Sequence, residues 1–142
     1  MTDKTKEEEL QTKYYEFQVV NEQVKQLQQQ LQMLEEQATE LKITLDGLKD
    51  LEKTKEKETI LVPIGQGIFT KAELKDSKNL IVNVGSNVMV SKDITGAKSM
   101  IDERIRAVEI YREETNRNIM ELVKKARKIE SELQNILGEI KG

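Results

Sequence analysis

Apolar residues in the first third of the chain recur at Val20, Val24, Leu27, Leu31, Leu34, Ala38, Leu41, Leu45 and Leu48, in steps that alternate four and three. That period of 3.5 is the seam of a coiled coil, narrower than the apolar stripe of a helix lying on a globular core. The surrounding stretch, roughly residues 5–57, has no Pro, a single Gly (Gly47) and an abundance of Glu, Gln, Lys and Leu, all good helix formers. Upstream, Leu10, Tyr14 and Phe17 continue the stripe, with an expected phase slip between Phe17 and Val20. The last stretch, 95–141, repeats the pattern through Ile101, Ile105, Val108, Arg112, Thr115, Ile119, Leu122, Ala126, Ile129, Leu133, Ile136 and Ile140. Arg112 and Thr115 are its polar interruptions, of the kind that fixes register at some cost in stability.

Between the helices, over 59–93, charge falls and β-branched residues take over. Leu61-Val62-Pro63-Ile64-Gly65-Gln66-Gly67-Ile68-Phe69-Thr70 aligns with Ile81-Val82-Asn83-Val84-Gly85-Ser86-Asn87-Val88-Met89-Val90 at an offset of 20. Each reads as a strand, a three-residue turn and a second strand, which is a hairpin signal. Asp76-Ser77-Lys78-Asn79 is a turn cluster between the two. The two-residue period places Ile60, Val62 and Ile64 on one face, and Leu80, Val82 and Val84 likewise.

These elements predict an α+β chain, one domain over 1–142. It comprises a first helix over 5–57, two tandem β-hairpins over 59–93 and a second helix over 95–141. Two seams in one chain are satisfied most simply by folding back into a long antiparallel coiled-coil hairpin. The β-hairpins then sit at the hinge end and both termini at the far tip. Isolated hairpins are marginal in water and carry unpaired edges. The β block is therefore expected to pair with the same block of other subunits, in an intersubunit sheet or barrel. Val62, Ile64, Ile68, Phe69, Leu80, Val82, Val84, Val88 and Val90 are the expected assembly residues.

The tip is the second place of interest. Apolar residues run out to both ends: Leu10, Tyr14, Tyr15 and Phe17 on the first helix, and Ile129, Leu133, Ile136, Leu137 and Ile140 on the second. Tyr15 and Leu137 lie beside the seam rather than in it. Exposed apolar groups on a mobile tip would bind other apolar surface, whereas the same residues inside the seam would only close it.

Composition removes several chemistries. The 142 residues include no His, no Cys and no Trp. That leaves no imidazole base, no thiolate nucleophile, no disulfide and no ordinary zinc site. Gly65-Gln66-Gly67 begins like a dinucleotide fingerprint, but Thr70 stands where the third Gly is needed and the run enters a strand rather than a helix. The carboxylates are spread over helix surfaces, so no catalytic residue, metal ligand or cofactor is expected. No apolar run is long enough to span a membrane, and the charged start, Met1 to Glu9, does not read as a signal peptide.

Residues 1–58 carry nine basic and fourteen acidic side chains, against ten and nine over 96–142. The one basic cluster, Lys124, Lys125, Arg127 and Lys128, is flanked by Glu121 and Glu130 and reads as a solvated helix face. No nucleic-acid stripe is present.

The order helix, two hairpins, helix resembles the α class of the prefoldin family, its archaeal form most closely. Its most specific part is Leu61-Val62-Pro63-Ile64-Gly65-Gln66-Gly67, then Lys71-Ala72-Glu73, Ile81-Val82-Asn83-Val84-Gly85 and Lys92-Asp93. The β class is similar but has a single hairpin. The resemblance implies a cytoplasmic, ATP-independent co-chaperone subunit, in a heterohexamer of two α and four β subunits. The hairpins of such a complex join into β-barrels. Unfolded client proteins are held between coiled-coil tips and passed to a group II chaperonin. Asn87 replaces a more usual Gly in the second turn, and Gly96 is an unusual opening for a helix. Two other readings are a structural coiled-coil scaffold or tether without general chaperone activity, and a nucleic-acid-associated factor. The acidic balance disfavours the latter.

Overall fold

The computed structural model describes residues 2–141. The order of elements is α1 (Thr2–Lys53), β1 (Thr59–Gly65), β2 (Ile68–Glu73), β3 (Asn79–Asn83), β4 (Met89–Asp93) and α2 (Ile94–Lys141). The chain divides into two compact units. One joins α1 up to Glu36 with α2 from Glu109, and the other runs from Gln37 to Val108 and holds the strands. The expected span of 1–142 thus covers two units, and its ends, Met1 and Gly142, lie outside the described residues.

Helix α1 stops four residues before the expected 57, and backbone pairing explains why. The Lys57 N–H donates to the Leu74 carbonyl at 2.7 Å, and the Leu74 N–H donates to that of Glu58 at 2.9 Å. The backbone of Lys57 and Glu58 therefore extends the first hairpin, with Lys57 in the left-handed region at φ 68°. A continuing helix would need those same groups for its own ladder. Helix α2 begins directly after β4. Asp93 caps it, its Oδ1 accepting the Gly96 N–H at 2.7 Å. An acidic N-cap satisfies an orphan donor and complements the helix dipole.

Burial along α1 follows the heptad: Val20, Val24, Leu27, Leu31, Leu34, Ala38, Leu41, Leu45 and Leu48 are all covered or partly covered. Upstream, Lys6, Leu10, Lys13 and Phe17 are half-buried, as is Glu16, which lies beside the stripe and pairs with Lys13. The steps from Lys6 to Val20 are four, three, four and three, so the seam runs on without the expected phase slip. Lys13, not Tyr14, occupies the seam. A charged residue does not register in an apolar count, and the apolar neighbour Tyr14 makes the period look broken. Along α2, every expected position from Ile101 to Ile140 is buried or half-buried, Arg112 and Thr115 included.

In the first unit the helices run antiparallel. Lys6 pairs with Glu139 at 3.3 Å, Lys13 with Glu132 at 2.7 Å and Glu35 with Arg112 at 3.8 Å, so numbers rise on one helix as they fall on the other. Val20, Ile129 and Leu133 form a buried cluster, flanked by Leu10, Phe17, Val24, Leu122 and Ala126.

In the second unit, β1 pairs antiparallel with β2 and β3 with β4, and no ladder joins the two hairpins among the described residues. The first turn is tighter than expected: Gly65 pairs with Ile68, leaving Gln66-Gly67 as a two-residue loop with φ 52° and 78°. Positive φ at both central residues matches the right-handed twist of the strands. A bulge absorbs Ile64 between Pro63 and Gly65. The second turn, Gly85-Ser86-Asn87, is left-handed throughout, with Asn87 at φ 60°. The Asn83 Oδ1 accepts the Gly85 N–H at 2.9 Å, and the Val84 N–H donates to the Val88 carbonyl at 3.0 Å. The second hairpin lies against the helices of its own unit. Leu80 and Val82 border a hollow with Leu48, Ala97, Met100 and Ile101. Lys98 of α2 pairs with Glu52 of α1.

Candidate functional site

Two surfaces expose apolar side chains in quantity, one in each unit. The first lies where the helix pair carries both chain ends. Here Leu10, Tyr14 and Tyr15 of α1 and Leu133 and Leu137 of α2 line an open groove, rimmed by Gln11, Gln18, Gln134 and Glu130. Heptad geometry explains its side. Tyr14 follows the seam residue Lys13, and Leu137 follows the seam residue Ile136. Both therefore project on the same flank of an antiparallel pair.

The nine residues expected at the tip divide by position. Ile129, at 4% exposure, Leu133 and Ile136 are buried in the seam, and Leu133 alone of the three reaches the floor of the groove. Leu10, Phe17 and Ile140 are half-buried. Tyr14, Tyr15 (68% exposed) and Leu137 (41%) face solvent.

Charges hold the helix ends together beside this groove. The Lys13 Nζ lies 2.7 Å from the Glu132 Oε2 and 3.7 Å from that of Glu16. The hydrogen bond from Lys13 holds the Glu132 carboxyl below its ordinary range, and the same bond to Glu132 raises Lys13 above its own. Lys6 and Glu139 repeat the pair one heptad toward the ends. A separate groove, lined by Gln23, Gln26, Leu27, Gln30, Asn118, Glu121, Leu122 and Lys125, is mostly amide and charge. Lys125 is the one member of the basic cluster that lines it.

The second surface is the pair of hairpins. In the first, Val62, Ile64, Ile68 and Phe69 are all exposed. So is Leu61, at 63%, which points to the face opposite Val62. Both faces of this hairpin are therefore apolar and open. In the second hairpin, Leu80, Val82 and Val90 are half-buried, Val84 and Val88 at the turn are exposed, and Ile81 reaches 76%. Leu80 and Val82 turn toward the chain's own helices, so the open face of this hairpin is the one that carries Ile81 and Met89.

Leu61, Ile81 and Met89 were absent from the expected assembly residues. The signal lies in the unbroken apolar runs Ile60-Leu61-Val62, Leu80-Ile81-Val82 and Val88-Met89-Val90, which mark strands apolar on both faces. Among the described residues, no three His, Cys, Asp or Glu side chains cluster to hold a metal, and no helix is long and apolar enough to cross a membrane.

Comparison with known proteins matches residues 20–139 to the family model for the prefoldin subunit. A curated relative, prefoldin subunit alpha of Methanococcus aeolicus, is 39% identical over 66 residues, which is 46% of this chain and 44% of that protein. The aligned part thus spans less than half the length of that relative. Among solved structures, filamentous PFD from Methanocaldococcus jannaschii, determined by cryo-EM, superposes with a TM-score of 0.73. The identity is 23%, and the match covers 82% of this chain and 96% of the other. At that identity the likeness is one of fold: two long helices joined through two antiparallel hairpins. The family match over residues 20–139, which takes in both hairpins and most of both helices, places the chain in the prefoldin family.

Proposed function

We propose that the chain is an α-type subunit of a prefoldin co-chaperone that holds unfolded polypeptides without nucleotide. The observation that carries this is the apolar groove at the terminal end of the helix pair. Its walls, Tyr14, Tyr15 and Leu137, are exposed, while its floor is already closed by the seam. Groups left open beside a completed seam add nothing to helix pairing and are available to other apolar surface. Three exposed side chains give a weak contact. Several such arms in one complex raise the effective concentration, so a client is held by many poor contacts and still released.

The hairpins supply the complex. Both faces of the first, and the Ile81 face of the second, keep exposed apolar side chains among the described residues, and each sheet is only two strands wide. These strands join those of other subunits into a shared barrel. The partners are β-type subunits, four to every two of this chain, and the complex passes clients to a group II chaperonin in the cytoplasm. The single domain of this function is the whole of 1–142. The two-hairpin layout and the relative named prefoldin subunit alpha support the α-type assignment.

The test removes residues 1–17 and 129–142 from the chain within the assembled complex. The shortened complex keeps its subunit stoichiometry, at the mass expected for the deletion, and loses suppression of aggregation of a diluted, chemically unfolded protein. Equal protection by the shortened complex contradicts the proposal.

A further inference from the structure

The terminal groove is not uniformly apolar, and its one charge has a defined setting. Among the described residues Glu130 is its only ionic lining residue; the rest of the rim is the neutral amides Gln11, Gln18 and Gln134. Among the described residues Glu130 makes no ion pair, whereas Glu132 and Glu139 on the same helix are both paired to lysines of α1. Arg127 stands three residues before it and makes no ion pair with it among the described residues. Lys13 is engaged by Glu132 and Glu16. The Glu130 carboxylate is exposed and shares the groove with two exposed phenol rings, Tyr14 and Tyr15. A carboxylate attracts a cation by charge, and an aromatic face attracts it through the ring quadrupole. Leucines 10, 133 and 137 offer the apolar surface along which a lysine or arginine stem can lie.

We propose that this groove selects apolar polypeptide segments that carry lysine or arginine and discriminates against segments that carry aspartate or glutamate. The inference rests on the reading of the groove as a client site and names the class of client it takes. The aromatic half of the recognition, Tyr14 and Tyr15, lies N-terminal to the span matched by the family model.

The test uses the full chain and three labelled peptides with one apolar core, flanked by Lys, Ser or Glu, and reads binding by fluorescence anisotropy. The Lys-flanked peptide binds about fivefold or more tighter than the Glu-flanked one at low salt, the size expected of an exposed ion pair with a cation–π contact. High salt compresses the difference. Glu130→Gln reduces the preference to about twofold or less, and Glu130→Lys reverses it. Glu22→Gln changes net charge equally at an exposed site outside the groove and leaves the preference in place.

Equal binding of the three peptides by the unaltered chain, or equal loss of preference in Glu22→Gln and Glu130→Gln, overturns the charge selection and leaves the client site standing. Binding by all three that Leu137→Ser and Tyr15→Ser leave untouched overturns the client site itself, and the selection with it.

Discussion

The terminal helix pair and the β-hairpins both present apolar side chains to solvent, and they do so for opposite reasons. In the helix pair the seam is complete. Val20, Ile129, Leu133 and Ile136 are buried, and the exposed Tyr14, Tyr15 and Leu137 lie outside that stripe. In the first hairpin no side is complete: Leu61 on one face and Val62 on the other are both open, and the ladder ends after two strands. Exposure beside a closed core marks a surface that can engage and let go. Exposure in place of a core marks a surface that is unfinished until a partner arrives. In the function proposed above, the same hydrophobic chemistry would serve transient binding in one unit and permanent assembly in the other.

The largest effect expected from this contrast is at the hairpins. Charging one open face of each hairpin, with Leu61→Asp and Ile81→Asp, leaves an unpaired carboxylate in any intersubunit sheet, at a cost on the order of several kcal/mol per interface. Analytical ultracentrifugation with a β-type partner then finds free subunits in place of the complex. Helicity stays high, because neither side chain packs in the seam.

Next in size is the seam of the helix pair. Ile129→Ala empties a buried position and lowers stability by about 2–4 kcal/mol, read from the thermal midpoint. Leu137→Ser, eight residues on at the groove wall, changes stability by no more than about 0.5 kcal/mol. If the two substitutions destabilise equally, the division between seam and groove wall is wrong.

Acidity and alkalinity provide a third handle, through the ion pair beside the groove. Glu132 titrates below its ordinary value of 4.5, so its contribution is full above that value and is lost as pH falls through the lowered one. Lys13 titrates above its ordinary 10.5, so its contribution is full below that value and is lost as pH rises through the raised one. Hydrogen exchange of the α1 amides around Lys13, corrected for intrinsic rates, speeds up at both extremes and is steady between them. Glu132→Gln removes the acid limb attributable to this pair. An unchanged acid limb in that variant assigns the effect to other carboxylates.

The smallest effect is at the start of α2. Asp93→Ala removes the cap and costs about 1 kcal/mol. Gly96→Ala gains up to about 1 kcal/mol of helix propensity. Its new Cβ, however, would stand 2.9 Å from the Asp93 Oδ1, so the cap must shift. The thermal midpoint of Gly96→Ala therefore moves by less than an ordinary interior Gly→Ala change.

Where the sequence was readable, the reason was periodicity enforced by burial. The positions from Val20 to Leu48 and from Ile101 to Ile140 are covered in register, because a two-helix seam admits only one phase. The hairpins were equally legible, since Gly65, Gly67 and Gly85 take backbone angles that other residues resist. What escaped had physical causes. Lys13 hides in an apolar count because its charge is matched across the seam by Glu132, a residue 119 positions away. The end of α1 at Lys53 is decided by backbone bonds to Leu74, which no local propensity encodes. The expected tip residues combine seam with groove wall, because apolar character alone does not separate a seam position from its neighbour. Alternation assigns one apolar face to each strand, so Leu61 and Ile81 fall outside it although both faces are apolar.

The most direct test of the account is the protection of an unfolded protein by a complex carrying Tyr14→Ser, Tyr15→Ser and Leu137→Ser together. Light scattering after dilution of the denatured protein is the measurement, with mass and thermal midpoint checked alongside. The account predicts that the triple variant assembles and melts like the parent and yet lets the client aggregate. A triple variant that still keeps the client clear contradicts it.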